Sequence, residues 1–78
     1  MKKDQFGKRI KIARLRKNLR QIDVATALLD YEIAINQSTL GKIERGERNL
    51  LVYELVALAE ILDISTEWII KGGDLDID

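Results

Sequence analysis

The sequence predicts a small all-α domain made of five short helices. Three observations point there. A chain of 78 residues is long enough for one domain, and its 46% hydrophobic and 33% charged content is too apolar for a disordered chain. Apolar residues recur at helical spacing along successive segments rather than in strand-like alternation. Proline is absent, so no ring interrupts a helix, and residues that start or stop helices fall between the apolar segments.

The first helix is expected from Asp4 to Asn18. Phe6, Ile10 and Ala13 lie at i, i+4 and i+7, one buried stripe with basic residues around it, and Asn18 is a plausible left-handed stop before the anchoring Leu19. A second helix begins at Arg20 or Gln21, with Asp23 in its first turn and Val24, Ala25 and Leu28 as its buried stripe. Residues 29–36 are open to two readings, an extra helical turn or a longer loop. Asn36 reads as the N-cap of a third helix from Gln37 to about Arg45, which Gly46 ends. On that helix Leu40 and Ile43 point inward, while Gln37, Ser38, Gly41, Lys42 and Arg45 form a polar face. After a turn at 46–50, a fourth helix from about Leu51 to Leu62 buries Leu51, Leu55, Leu58, Ala59 and Leu62. A short fifth helix has Ser65 as N-cap, Glu67 in its first turn, Lys71 in its last and Gly72 as its stop. Residues 1–73 form the single expected domain, and the acidic segment 74–78 is expected to fray.

Composition removes several chemistries. Without cysteine or histidine there is no disulfide, thiol nucleophile, thiolate or imidazole zinc site, or histidine acid–base catalysis. The carboxylates Asp30 and Glu32 fall in a loop and Asp74, Asp76 and Asp78 in the tail, with no partner base and no metal-ligand spacing, so no enzyme, cofactor or metal is expected. No apolar run follows Met1-Lys2-Lys3-Asp4, and the apolar stretch Leu50 to Ile70 is broken by Glu54, Glu60, Asp63 and Glu67. A cytoplasmic protein with no membrane partner is the expectation.

Net charge is zero, which taken alone argues against a polyanionic partner. The distribution argues otherwise. Residues 1–20 carry nine Lys and Arg against Asp4, a net +8, while 21–48 come to −2 and 49–78 to −6. Local fields, not the total, govern binding to a polyanion.

Three runs carry a resemblance: Phe6-Gly7-x-x-Ile10 with Arg14; Leu19-x-Gln21-x-x-Val24-Ala25; and Ser38-Thr39-Leu40-Gly41-Lys42-Ile43-Glu44-Arg45-Gly46. Together they resemble the lambdoid phage repressor and Cro-type helix-turn-helix domain. The run Leu55-x-x-Leu58-Ala59-x-x-Leu62-Asp63-Ile64-Ser65-x-x-Trp68-Ile69 is similar to the last two helices of that fold. The resemblance covers about residues 6–70. It departs in one place, for the stretch from Gln21 to Gly46 is five residues longer than is common in the family, and the excess falls around Asp30–Ala34. Arg20 also stands where the family prefers a capping Ser or Thr, a cap worth about 1 kcal/mol.

The resemblance implies double-stranded DNA as the partner and a transcription regulator, a dimeric repressor of a palindromic operator. It implies base contacts from Gln37, Ser38 and Lys42, with Gln37 able to pair with adenine and Lys42 with guanine O6 and N7. Gln21, Asn36, Arg45 and Arg48 would hold phosphates, and Arg14 with Glu44 would form a structural ion pair. Arg48 is also readable as an exposed arginine paired with Glu47. Gly41 reads either as a point of close approach or as neutral drift at an exposed site. Ile61, Trp68, Ile69 and Ile70 are candidates for a dimer interface, and Tyr31, Ile33 and Ile35 form a competing apolar surface. The competing function is a protein-interaction module, antitoxin-like or adaptor, that keeps the fold without an operator. An antagonist or toxin protein is an admissible partner in either case, and no small-molecule ligand is implied.

Overall fold

A computed structural model describes residues 3–72, which fold into α1 (Lys3–Arg16), α2 (Gln21–Leu29), α3 (Gln37–Glu44), α4 (Val52–Leu62) and α5 (Thr66–Lys71). The acidic segment 74–78 lies outside the described residues. α3 packs on α1 and α2, α4 on α1, α2 and α5, and α5 returns to α1. The centre is filled by Ile10, Val24, Leu28, Leu40, Leu58, Leu62 and Ile69, each fully or almost fully buried.

α1 buries Ile10 and Ala13, with Phe6 packed against the same core. Gly7 lets α1 cross α3 with backbones in contact, because a Cβ there would run into the main chain at Ile43 and Glu44. The helix stops at Asn18, which takes φ 58° while the Leu19 N–H donates to the Arg14 carbonyl at 3.1 Å. α2 has no side-chain acceptor at its N-cap, Arg20. Asp23 supplies part of what is missing, since its carboxylate accepts the Arg20 N–H at 2.7 Å from inside the first turn.

The segment with two readings is resolved as a turn followed by extended chain. α2 closes at Glu32, φ 59°, with the Ile33 N–H donating to the Leu28 carbonyl at 3.1 Å. Residues 33–36 then run to the start of α3 with Ile33 and Ile35 turned inward, 7% and 2% exposed. These two are therefore core, not the outer apolar surface suggested by the sequence. Tyr31 stays half-exposed, and its hydroxyl donates to Glu60 Oε1 at 2.9 Å, fastening the longer connection to α4. That carboxylate also raises the tyrosine pKa, because ionised tyrosine loses the hydrogen bond.

α3 ends one residue earlier than expected, at Glu44, with Arg45 as C-cap and Gly46 at φ 76°. α4 also differs at its start. Leu51 is the N-cap and half-exposed rather than buried, and Glu54, one turn in, is 2% exposed. The Ser65 hydroxyl caps α5 by accepting the Trp68 N–H at 3.0 Å, and Gly72 ends the helix. Trp68 and Ile69 close the core at 8% and 0% exposure. A single chain thus already covers two of the four interface candidates. Ile61 is half-buried against the core and Ile70 reaches the surface at 38% exposure.

Candidate nucleic-acid interface

The site is a shallow groove where the N-terminal end of α2 meets the exposed face of α3. Gln21, Asn36, Gln37, Ser38, Gly41 and Arg45 line it together with Ile22. Each is placed by an identifiable local cause. The Asn36 side chain accepts the Thr39 N–H at 2.8 Å, so it fixes where α3 begins. Gln37 and Ser38 fall in the first turn and stay exposed because Leu40 and Ile43 take the inward positions. Lys42 lies further along α3, exposed, beside the groove rather than in its lining. The first N–H groups of both α2 and α3 have no partners within their own helices, and both helix ends carry partial positive charge.

Beneath the groove is a buried ion pair. Arg14 Nε donates to Glu44 Oε2 at 2.7 Å and its terminal nitrogen to Oε1 at 3.1 Å, with 8% and 3% of the two side chains exposed. The third Arg14 nitrogen donates to the Leu19 carbonyl at 2.9 Å. Gln21 Nε2 joins this network, donating to Glu44 Oε1 at 3.1 Å. The pair therefore joins α1, the α1–α2 turn, the start of α2 and the end of α3.

Gly41 is buried, not exposed. A Cβ there would lie 3.1 Å from a terminal nitrogen of Arg45 and 3.5 Å from Gln21 Nε2. The missing side chain gives these two polar side chains room to lie across α3.

Each arginine near this face holds a carboxylate. Arg45 bonds Glu47 at 3.0 and 3.3 Å, and this hydrogen bond, then the arginine's charge and that of Lys42, hold the Glu47 carboxyl below its usual range. Arg48 pairs not with Glu47 but with Glu54, at 2.9 and 3.0 Å, and also donates to the Asn49 carbonyl. Glu54 accepts the Leu51 N–H as well, at 2.9 Å, so Arg48 braces the α3–α4 loop and the start of α4. Arg20 forms a forked pair with Asp23 at 3.1 and 3.0 Å. The pairing of Glu47 with Arg45 and the burial of Glu54 were not legible in the sequence, where Glu47 stood only as an alternative partner for Arg48. An acid one turn into an apolar helix is a generic dipole partner, and its burial depends on an arginine from the preceding loop.

The helical order and this surface define a helix-turn-helix protein. Residues 10–69 match the model of the helix-turn-helix family, so the chain belongs to it. The membership makes it a DNA-binding regulator in general terms. No curated protein and no solved structure matches the chain. Among the described residues no helix is long and apolar enough to cross a membrane.

Proposed function

We propose that this protein is a sequence-specific regulator that binds duplex DNA as a homodimer on a two-fold symmetric operator and acts there as a repressor. The observation that carries the reading is the groove itself. Five of the seven residues assigned to bases or phosphates converge on it: Gln21, Asn36, Gln37, Ser38 and Arg45. Gln37 and Ser38 are the base readers, joined by Lys42 one turn on, because they are exposed at the start of a helix narrow enough for the major groove. Gln21, Asn36 and Arg45 hold the flanking phosphates and supply affinity rather than sequence information. Arg48 acts through the loop it braces.

Size supports the dimer. The longest dimension of the described chain is 30 Å, less than the roughly 34 Å that separates half-sites one helical turn apart. One copy would reach one half-site, and a second would be needed for the other. Of the four interface candidates, Ile70 is the one exposed enough to meet a second copy, and Val52, Tyr53 and Val56 of α4 are exposed apolar side chains as well.

Selection of a random duplex pool on the purified protein, at near-physiological salt, tests the reading. The expected result is enrichment of an inverted repeat, lost when Gln37 or Lys42 is changed to Ala. A folded protein that enriches nothing overturns it. The second reading, a protein-interaction module, draws on a different observation: an apolar groove lined by Ile22, Ala25, Thr26, Leu29, Ala34 and Ile35 beside Gln37. It predicts no enrichment and no loss of function on changing Gln37 or Lys42.

A further inference from the structure

We propose that Glu47 sets the strength of DNA binding by occupying Arg45, so that Arg45 exchanges a carboxylate for a phosphate when the duplex arrives. The inference rests on the DNA-binding reading above and adds a residue to it that opposes binding.

The three arginine–carboxylate pairs near the interface differ in what else depends on them. Glu54 is nearly inaccessible, 3% exposed at its side chain, and also caps α4 through the Leu51 N–H. Releasing Arg48 would leave that buried carboxylate short of partners. Asp23 accepts the Arg20 N–H at 2.7 Å, so its withdrawal would uncap α2. Among the described residues the Glu47 carboxylate caps no helix and accepts from no backbone N–H. Its side chain and that of Arg45 are 55% and 58% exposed, and among the described residues Arg45 is its hydrogen-bond donor. Both groups can return to water at little cost, which makes this the exchangeable pair.

Its position makes the exchange relevant to DNA. Arg45 lines the groove with Gln21, Gln37 and Ser38. The backbone of Glu47 is fixed, for its N–H closes α3 on the Lys42 carbonyl at 2.8 Å. The carboxylate is held on Arg45 and is also attracted by Lys42, and the DNA reading assigns both cations to the duplex. It occupies the kind of place a phosphate oxygen would take. An incoming phosphate must displace it and also meets its repulsion. Because phosphates are the same at every sequence, the cost falls on sequence-independent binding. In a chain of zero net charge, such a residue leaves a larger share of binding to base contacts.

The test compares wild type, Glu47→Gln, Arg45→Ala and the double variant on a labelled mixed-sequence duplex, across a salt series, with far-UV circular dichroism to show that each is folded. Glu47→Gln is expected to bind about three- to tenfold tighter at low salt, the gain shrinking as salt rises. It should also show a steeper salt dependence. Arg45→Ala is expected to weaken binding and to abolish the gain from Glu47→Gln. Unchanged or weaker binding by folded Glu47→Gln overturns the proposal while the DNA reading stands. So does a gain that survives in the Arg45→Ala background, which would make Glu47 a plain repulsive charge. If wild type binds no duplex at all, the underlying reading fails, and this proposal with it.

Discussion

Gln21 and Arg14 donate to the same oxygen of Glu44, each at 3.1 Å. A residue assigned to phosphate is thereby positioned by the buried ion pair of the core. Removing either member of that pair leaves the other buried and uncompensated, which costs about 3–5 kcal/mol. A domain of this size has little more stability than that in total. Glu44→Ala and Arg14→Ala are therefore expected to be largely unfolded at room temperature in far-UV circular dichroism. Replacing both with Met should be much milder, because no charge is stranded. Gln21→Ala, which leaves the pair intact, should cost about 1 kcal/mol or less in a urea titration. A fully folded Arg14→Ala would show that the pair is not needed.

Gly41 separates stability from binding. Alanine is better than glycine in a helix interior by about 1 kcal/mol. The nearest atom a Cβ would meet, 3.1 Å away, is the end of the Arg45 side chain, which can move aside. Gly41→Ala is thus expected to raise the denaturation midpoint while weakening duplex binding severalfold, since Arg45 and Gln21 lose their resting place. Gly7→Ala should do the opposite to stability, because there the obstacle is the backbone of α3. Thermal melts and duplex titrations of the two variants check both expectations.

The helix ends were the most legible part of the fold. Asn18, Asn36, Gly46, Ser65 and Gly72 each act within a few residues of themselves, so local chemistry was enough to place them. Most of the groove was legible too, because the α3 residues that avoid the core follow from helical spacing. What escaped depended on distant partners. Glu54 is buried because Arg48 reaches it, and Gly41 is covered because side chains from α2 and the end of α3 lie over it. Trp68 and Ile69 sit on a helix of six residues, too short for its period to separate an inner from an outer face. Ile33 and Ile35 alternate in a four-residue extended stretch, where spacing tells which residues share a side but not which side is inward.

That last point makes the longer α2–α3 connection a structural element with a measurable contribution. Ile35 is 2% exposed and Ile33 7%, both within the main core cluster. Truncating either to Ala should cost about 2–4 kcal/mol, as for other buried aliphatic residues. Ala34, between them, is exposed, and Ala34→Ser should change little. Tyr31→Phe removes only an exposed hydrogen bond to Glu60 and should cost no more than a few tenths to about 1 kcal/mol. Urea unfolding followed by the emission of the sole tryptophan, the buried Trp68, reads all four variants. If Ile35→Ala were as stable as wild type, the connection would be an appendage rather than part of the core.

The Arg48–Glu54 pair predicts how stability responds to acid. The hydrogen bonds from Arg48, then the Leu51 N–H and the arginine's charge, outweigh the burial that opposes ionisation, so the Glu54 carboxyl titrates below its usual range. A group depressed in the folded state binds its proton more readily in the unfolded chain. Its contribution is thus complete above the unfolded value, about 4.3, and disappears as pH falls through the lower folded value. Glu54→Gln should be less stable than wild type at neutral pH and should approach it as the medium becomes acidic. Some acid sensitivity should remain in the variant, because Asp23 and Glu47 are depressed in the same direction by Arg20 and Arg45. The measurement is denaturant unfolding of both proteins from neutral pH down through the carboxylate range. Parallel curves, with a constant gap at every pH, would show that Glu54 contributes by packing and capping rather than by its charge.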